Sequence, residues 1–125
     1  MKGLIFLPKI KINYFLKTNN EIIEKKLNGI YHDNIITFKD NNVITSILLN
    51  NNILKREGND YIINIDLNNI SCKCYFKKEN KYIDFDIHLN NYTKDDNSIH
   101  IDYYIIYDNI NRINILFKIN YEVIK

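Results

Sequence analysis

Hydrophobic and polar residues alternate with a period of two along most of this chain. The clearest run is at the C-terminal end. From Ile113 onward, Ile115, Phe117, Ile119, Tyr121 and Val123 share one face, and Asn114, Lys118, Asn120 and Glu122 the other. Leu116 breaks the alternation. A period of two is the signature of a strand with one buried face, and so many Ile, Phe, Tyr and Val side chains crowd a helix turn. Ile99, Ile101, Tyr103, Ile105 and Tyr107 alternate in the same way with His100, Asp102 and Tyr104. So do Ile83, Phe85, Ile87 and Leu89 with Tyr82, Asp84, Asp86 and His88. The polar stretch Asn90 to Asn97 reads as a loop between these two strands, and Asp108-Asn109 starts the next turn.

Upstream, Ile70, Cys72, Cys74 and Phe76 oppose Ser71, Lys73, Tyr75 and Lys77, while Tyr61, Ile63, Ile65 and Leu67 oppose Asn64 and Asp66. Shorter strands are expected at Ile53 to Glu57, Val43 to Leu49 and Ile35 to Phe38. A longer segment from Glu21 to Tyr31 is expected to bend at a bulge near Gly29. The first strand runs from Lys9 to Lys17, preceded by Pro8, which cannot donate to a ladder. Nine or ten strands result, joined by short connections. Parallel architecture needs crossovers of a dozen or more residues, and none fits. The pattern therefore predicts one all-β domain over residues 1–125, an antiparallel meander that closes into an up-and-down barrel to bury its apolar face and remove its edges.

These segments also resemble a family of small bacterial proteins, YwiB-like, with a calycin-like, lipocalin-related β-barrel. The likeness runs from Ile10 to Tyr121. An opening strand leads to a second one ending in Asn28-Gly29-Ile30-Tyr31, then to a short strand, an apolar strand, Ile53-Leu54-Lys55-Arg56-Glu57-Gly58 and a four-strand closing meander. The family often has a glycine-containing turn before the strand that here begins at Lys81. This chain has Lys77-Lys78-Glu79-Asn80 instead, with Asn80 the residue suited to a left-handed conformation. The resemblance implies the barrel and no catalytic residue. Many calycins hold small apolar ligands inside the barrel.

Composition adds little about function. The 125 residues include 26 Ile, 22 Asn and 15 Lys but no Ala, Gln or Trp. These favoured residues share A/T-rich codons, so an abundant lysine carries less information here than usual. The net charge of +2 comes from 17 basic and 15 acidic residues interleaved along the chain, which builds no field for nucleic acid or an anionic membrane. The apolar stretch from Leu4 to Leu7 is too short for a secretion signal, and no segment reaches the ~20 apolar residues of a membrane helix. A cytoplasmic protein is the expectation.

Four groups of side chains could carry chemistry. Phe85, Tyr103, Tyr107, Phe117 and Tyr121 fall in the inward series and would line a ligand site in the barrel. The tyrosines among them need hydrogen-bond partners if deeply buried, or else sit at the barrel ends. Lys73, Tyr75, Lys77, Lys78, Lys81 and Tyr82 combine basic and stacking groups, as a single-stranded nucleic-acid surface does. Glu79, Asp84 and Asp86 among them would repel phosphate. With Leu89 opposite Ile99, the side chains of His88, His100, Asp86 and Asp102 would meet on the outer face, close enough to share a metal; a slip of one residue dismantles that set. Cys72 and Cys74 lie in an apolar series and read as reduced core thiols, since they are awkwardly spaced for a disulfide and lack two further ligands for zinc.

No cofactor is implied, and no acid, base or nucleophile stands out as catalytic. The leading expectation is a non-catalytic module that binds a small apolar or amphipathic molecule inside the barrel. The alternative is a surface that binds nucleic acid or protein through the lysine–tyrosine rim. Pairing of two copies through an imperfectly closed barrel edge stays open.

Overall fold

In a computed structural model of the chain, residues 8–124 are described. The Leu4–Leu7 stretch considered above lies outside them. Ten strands follow one another: β1 (Lys9–Lys17), β2 (Ile22–His32), β3 (Ile35–Asp40), β4 (Val43–Leu48), β5 (Ile53–Glu57), β6 (Tyr61–Asp66), β7 (Ser71–Phe76), β8 (Lys81–Lys94), β9 (Ser98–Ile106) and β10 (Arg112–Val123). Each pairs antiparallel with its neighbours in sequence, and β1 pairs with β10 to close the ring. The result is a closed up-and-down barrel, as the alternation predicts, with the architecture of calycin-like barrels.

The alternating residues point where their period requires. Ile10, Ile12, Tyr14 and Leu16 of β1 are buried, as are Ile99, Ile101, Tyr103 and Ile105 of β9 and Phe117, Ile119 and Tyr121 of β10. Ile36, Ile47, Leu54 and Ile65 meet them from the other side of a single core. The ring of Tyr14 belongs to this core, 5.2 Å from that of Phe38 and 5.8 Å from that of Phe117.

The ladder changes partners at two places. In β8, Lys81 to Phe85 pair only with β7, and Asp86 to Lys94 pair only with β9. In β2, Ile22 to Ile30 pair with β1, but only Gly29 to His32 pair with β3. The barrel is thus two sheets that share β2 and β8 as corner strands, a device by which strands pass from one sheet to the other. Gly29 is the residue at the β2 corner. A Cβ there would lie 2.7 Å from Ile12 Cδ1 and 2.8 Å from the Thr37 carbonyl oxygen. The bulge expected near Gly29 is absent; β2 changes partner there without a slip in register. The register shift lies instead between Leu89 and Asn91 of β8.

The turns are built mostly from Asx residues. Asp33 and Asn34 both have positive φ, 53° and 62°, the pair that a two-residue hairpin with the right twist demands. Asn80, as expected from its place in the turn, has a φ of 50°. Ile70 is different. This β-branched residue has a φ of 53° in the β6–β7 turn, where the Asp66 carboxylate accepts the N–H groups of Asn68 and Asn69.

Candidate functional site

The expected interior residues are brought together only in part. Tyr103, Phe117 and Tyr121 are buried in the core. Phe85 is half-buried at the β8 corner, beside a cleft of about 520 Å³ lined by Ile70, Cys72, Phe85, Ile87 and His88 among others. Tyr107 is not inward. β9 ends at Ile106, the Asp108 carboxylate takes the N–H groups of Ile110 and Asn111, and Tyr107 projects from that turn half exposed.

The metal set is not assembled. The segment expected as a loop from Asn90 continues β8 to Lys94, and the shift after Leu89 moves the register. His88 stands opposite Tyr104 and stacks on it, with ring centroids 4.8 Å apart, while His100 faces Thr93. Asp86 faces Ile106, and Asp102 faces Asn91. Among the described residues no three His, Cys, Asp or Glu side chains are placed to hold a metal ion.

The lysine–tyrosine rim does come together. Tyr75 and Tyr82 are direct partners across β7 and β8, with ring centroids 4.7 Å apart, and Lys73 Nζ lies 5.8 Å from the Tyr82 ring centroid. Its charge is largely matched. Lys73 is 4.0 Å from Asp84, Lys77 is 2.8 Å from Glu57, and Lys78 is 3.8 Å from Asp60. The Lys77 ammonium draws the Glu57 carboxyl below its ordinary range by hydrogen bond and charge.

Sequence reasoning missed a polar group inside the barrel. Leu54 of β5 is fully buried, and Arg56, two residues on, shares its inward face. Across the β4–β5 ladder Arg56 faces Thr45, which is also buried. The Arg56 Nε and the Tyr14 hydroxyl are both buried and have no hydrogen-bond partner among the described residues. The two groups are close enough that the guanidinium favours ionisation of Tyr14, although burial dominates and raises the phenol above its ordinary value; Asp40 adds to that rise. Tyr103 feels the same guanidinium and is likewise held protonated, chiefly by burial. Cys72, near Tyr103, is pushed up to about 11 by burial, with Cys74 and Asp84 adding to the effect. Asp40 itself is engaged by Lys25 of β2 at 2.7 Å. The available signal was the alternation Leu54, Arg56 within a strand whose neighbours have clear faces.

Fold and site together define an all-β protein, a closed ten-stranded up-and-down barrel with two buried polar groups, the Tyr14 hydroxyl and the Arg56 Nε, that have no partner among the described residues. No protein-family model, no curated protein and no solved structure matches the chain.

Proposed function

We propose that this protein is a non-catalytic binding module that holds a small amphipathic molecule in the barrel interior, against Tyr14, Tyr103 and Arg56. The observation that carries this reading is the Tyr14 hydroxyl, which belongs to a residue of the apolar core and is buried without a hydrogen-bond partner among the described residues. Leaving such a group unpaired costs about 1–3 kcal/mol. A ligand with one polar end removes that cost, and a purely apolar ligand does not. The inward Phe117 ring against Tyr14 supplies apolar contact at the same place.

The reading includes a cytoplasmic setting, which the two free cysteines support, and kinship with the YwiB-like family, supported by the strand order. Native mass spectrometry of the protein purified gently from its own kind of cell tests it. The expected result is an added mass of a few hundred daltons or less (order of magnitude for a pocket-sized ligand) that survives buffer exchange and leaves on unfolding. A bare mass, with no thermal shift across a set of small amphiphiles, overturns it.

A second reading has an observation of its own, the stacked Tyr75–Tyr82 pair with Lys73 over the Tyr82 ring. It takes this outer face as a platform for single-stranded nucleic acid. Oligonucleotide binding that weakens steeply with salt and is lost in Tyr82→Ala supports it; salt-independent or absent binding removes it.

A further inference from the structure

We infer that the outer face of β10, β1 and β2 binds a single strand of nucleic acid, at a place separate from the barrel interior and from the Tyr75–Tyr82 face. Basic and acidic residues are interleaved along the chain, but not around the barrel. The outward positions of these three strands carry Lys9, Lys11, Lys17, Lys26, Arg112 and Lys118, against the carboxylates of Glu24 and Glu122. With six of the 17 basic residues and two of the 15 acidic ones gathered here, the rest of the chain is net negative. Closure of the ring does this, because it sets the last strand beside the first.

The register puts the cations in file. Lys17 faces Leu116, Phe15 faces Lys118, Asn13 faces both Asn120 and Lys26, and Lys11 faces Glu122. Lys9 lies one step further, where its carbonyl accepts the Ile124 N–H. Five successive outward rows thus hold one cation each, at a step of about 7 Å for two strand residues. Arg112 follows two rows beyond Lys17. Among the described residues none of the six has a carboxylate within 4.0 Å, whereas Lys73, Lys77 and Lys78 each have one. Two are held by rings instead: Lys118 Nζ is 5.3 Å from the Phe15 centroid, and Arg112 Cζ is 4.4 Å from that of Tyr104. A ring fixes a cation against the sheet without cancelling its charge. Other acidic groups border the file. Glu24 faces Phe15 from β2, Asp102 faces Leu116 from β9, and Asp95 and Asp96 precede Asn97, whose carbonyl accepts the Tyr121 N–H.

A regular file of unmatched cations complements a polymer with one negative charge per repeat, and a nucleic-acid backbone is that polymer. One file matches one backbone, where a duplex presents two. The floor between the cations suits bases. Two adjoining clefts, of about 610 and 340 Å³, share Asn13, Asn120 and Lys26; Lys11 and Asn28 line the first, and Phe15 and Lys118 the second. Exposed side-chain amides both donate and accept, as base edges do, and single-strand surfaces combine such basic grooves with aromatic rings.

The test uses the full chain and fluorescence anisotropy, with labelled oligothymidylate and oligouridylate of about ten nucleotides, the matching duplex, and polyglutamate as competitor. At least one single strand is expected to bind, with a slope of log K against log salt of about −3, as for about four neutralised phosphates. Replacing Lys11, Lys17 and Lys26 together by Gln, all at exposed positions, is expected to weaken binding at least about tenfold and to reduce that slope by about 2. Tyr82→Ala should leave both unchanged. Loss of binding in Tyr82→Ala with the triple variant unaffected overturns the assignment in favour of the β7–β8 face. Polyglutamate competing as well as the oligonucleotide, at equal charge, makes this a face for acidic protein and overturns it too. So does a duplex that binds as tightly as the single strand, or the absence of binding at low salt. Should the triple variant not fold, Lys26→Gln alone decides, through a slope reduced by about 0.7 or left unchanged. None of these outcomes bears on the interior ligand, which mass spectrometry tests.

Discussion

Lys25 and Asp40 meet at 2.7 Å across a fork between β2 and β3, four residues from Gly29, the nearest residue of β2 in that ladder. Asp40 is buried, and the aliphatic stem of Lys25 runs inward from the part of β2 that pairs only with β1. The ion pair thus joins the two sheets where backbone hydrogen bonds no longer do. Because Lys25 is partly exposed, solvent limits its worth. Asp40→Asn is expected to destabilise the fold by about 1–2 kcal/mol, more than an exposed pair and less than a fully buried one. Urea denaturation measures this, and an unchanged midpoint would remove the pair from the account of the fork.

The β2 corner depends on the missing side chain of Gly29. One of the two atoms a Cβ would strike is the Thr37 carbonyl oxygen, which belongs to the ladder and cannot swing aside. Gly29→Ala should therefore cost about 2 kcal/mol or more. Gly58→Ala makes the control. Its Cβ would meet the Tyr61 ring at 2.6 Å, and that ring can rotate away. Equal losses in the two variants would sink the backbone argument.

At Ile70 the change runs the other way. A β-branched residue at a φ of 53° carries strain that glycine does not. Its side chain is about half exposed, so little packing is lost on removing it. Ile70→Gly is expected to raise stability by about 1 kcal/mol, or to leave it no lower once glycine's greater unfolded-state entropy is counted. A lower thermal midpoint in the variant contradicts the assignment of strain.

Acid should unfold the protein through its turns. Asp66, Asp95 and Asp108 all titrate below their ordinary value of 3.8, held there chiefly by the Asn69 N–H, the Ser98 hydroxyl and the Asn111 N–H respectively. A carboxylate lowered in the folded state contributes stability above its unfolded value and loses it as pH falls through the folded one. The urea midpoint should be flat near neutrality and decline below about pH 4. Asp66→Asn should lower the neutral plateau and make the decline shallower; an identical slope would exclude Asp66 from it.

Most of the strand order was legible because the inward series is written in isoleucine, as in Ile99, Ile101 and Ile105, and such a series admits only one face. The end of β8 was not. Asn90, Asn91, Thr93 and Lys94 look like a loop, yet the chain is held extended there by β9 alone, and the shift after Leu89 reverses the face on which each later residue falls. The continuation of β8 to Lys94, which puts Thr93 and not His88 opposite His100, is what separates the two histidines. Tyr107 was misplaced for a similar reason, since the turn anchored on Asp108 ends the strand before its alternation does. Arg56 was hidden because β5 has only five residues, too few to show a period, and its face is fixed by pairing with β4 and β6.

The closing ladder between β1 and β10 brings the two ends of the described chain together, with the Ile124 N–H donating to the Lys9 carbonyl at 2.8 Å. In space the strands form a loop in which every member has two partners and none is first. A gene that joined these ends with a short linker and opened the exposed β9–β10 turn near Asn109 would keep every rung of the barrel. The order in which the chain is synthesised is then a separate matter from the arrangement it reaches, and the starting point can be moved without redesigning the core.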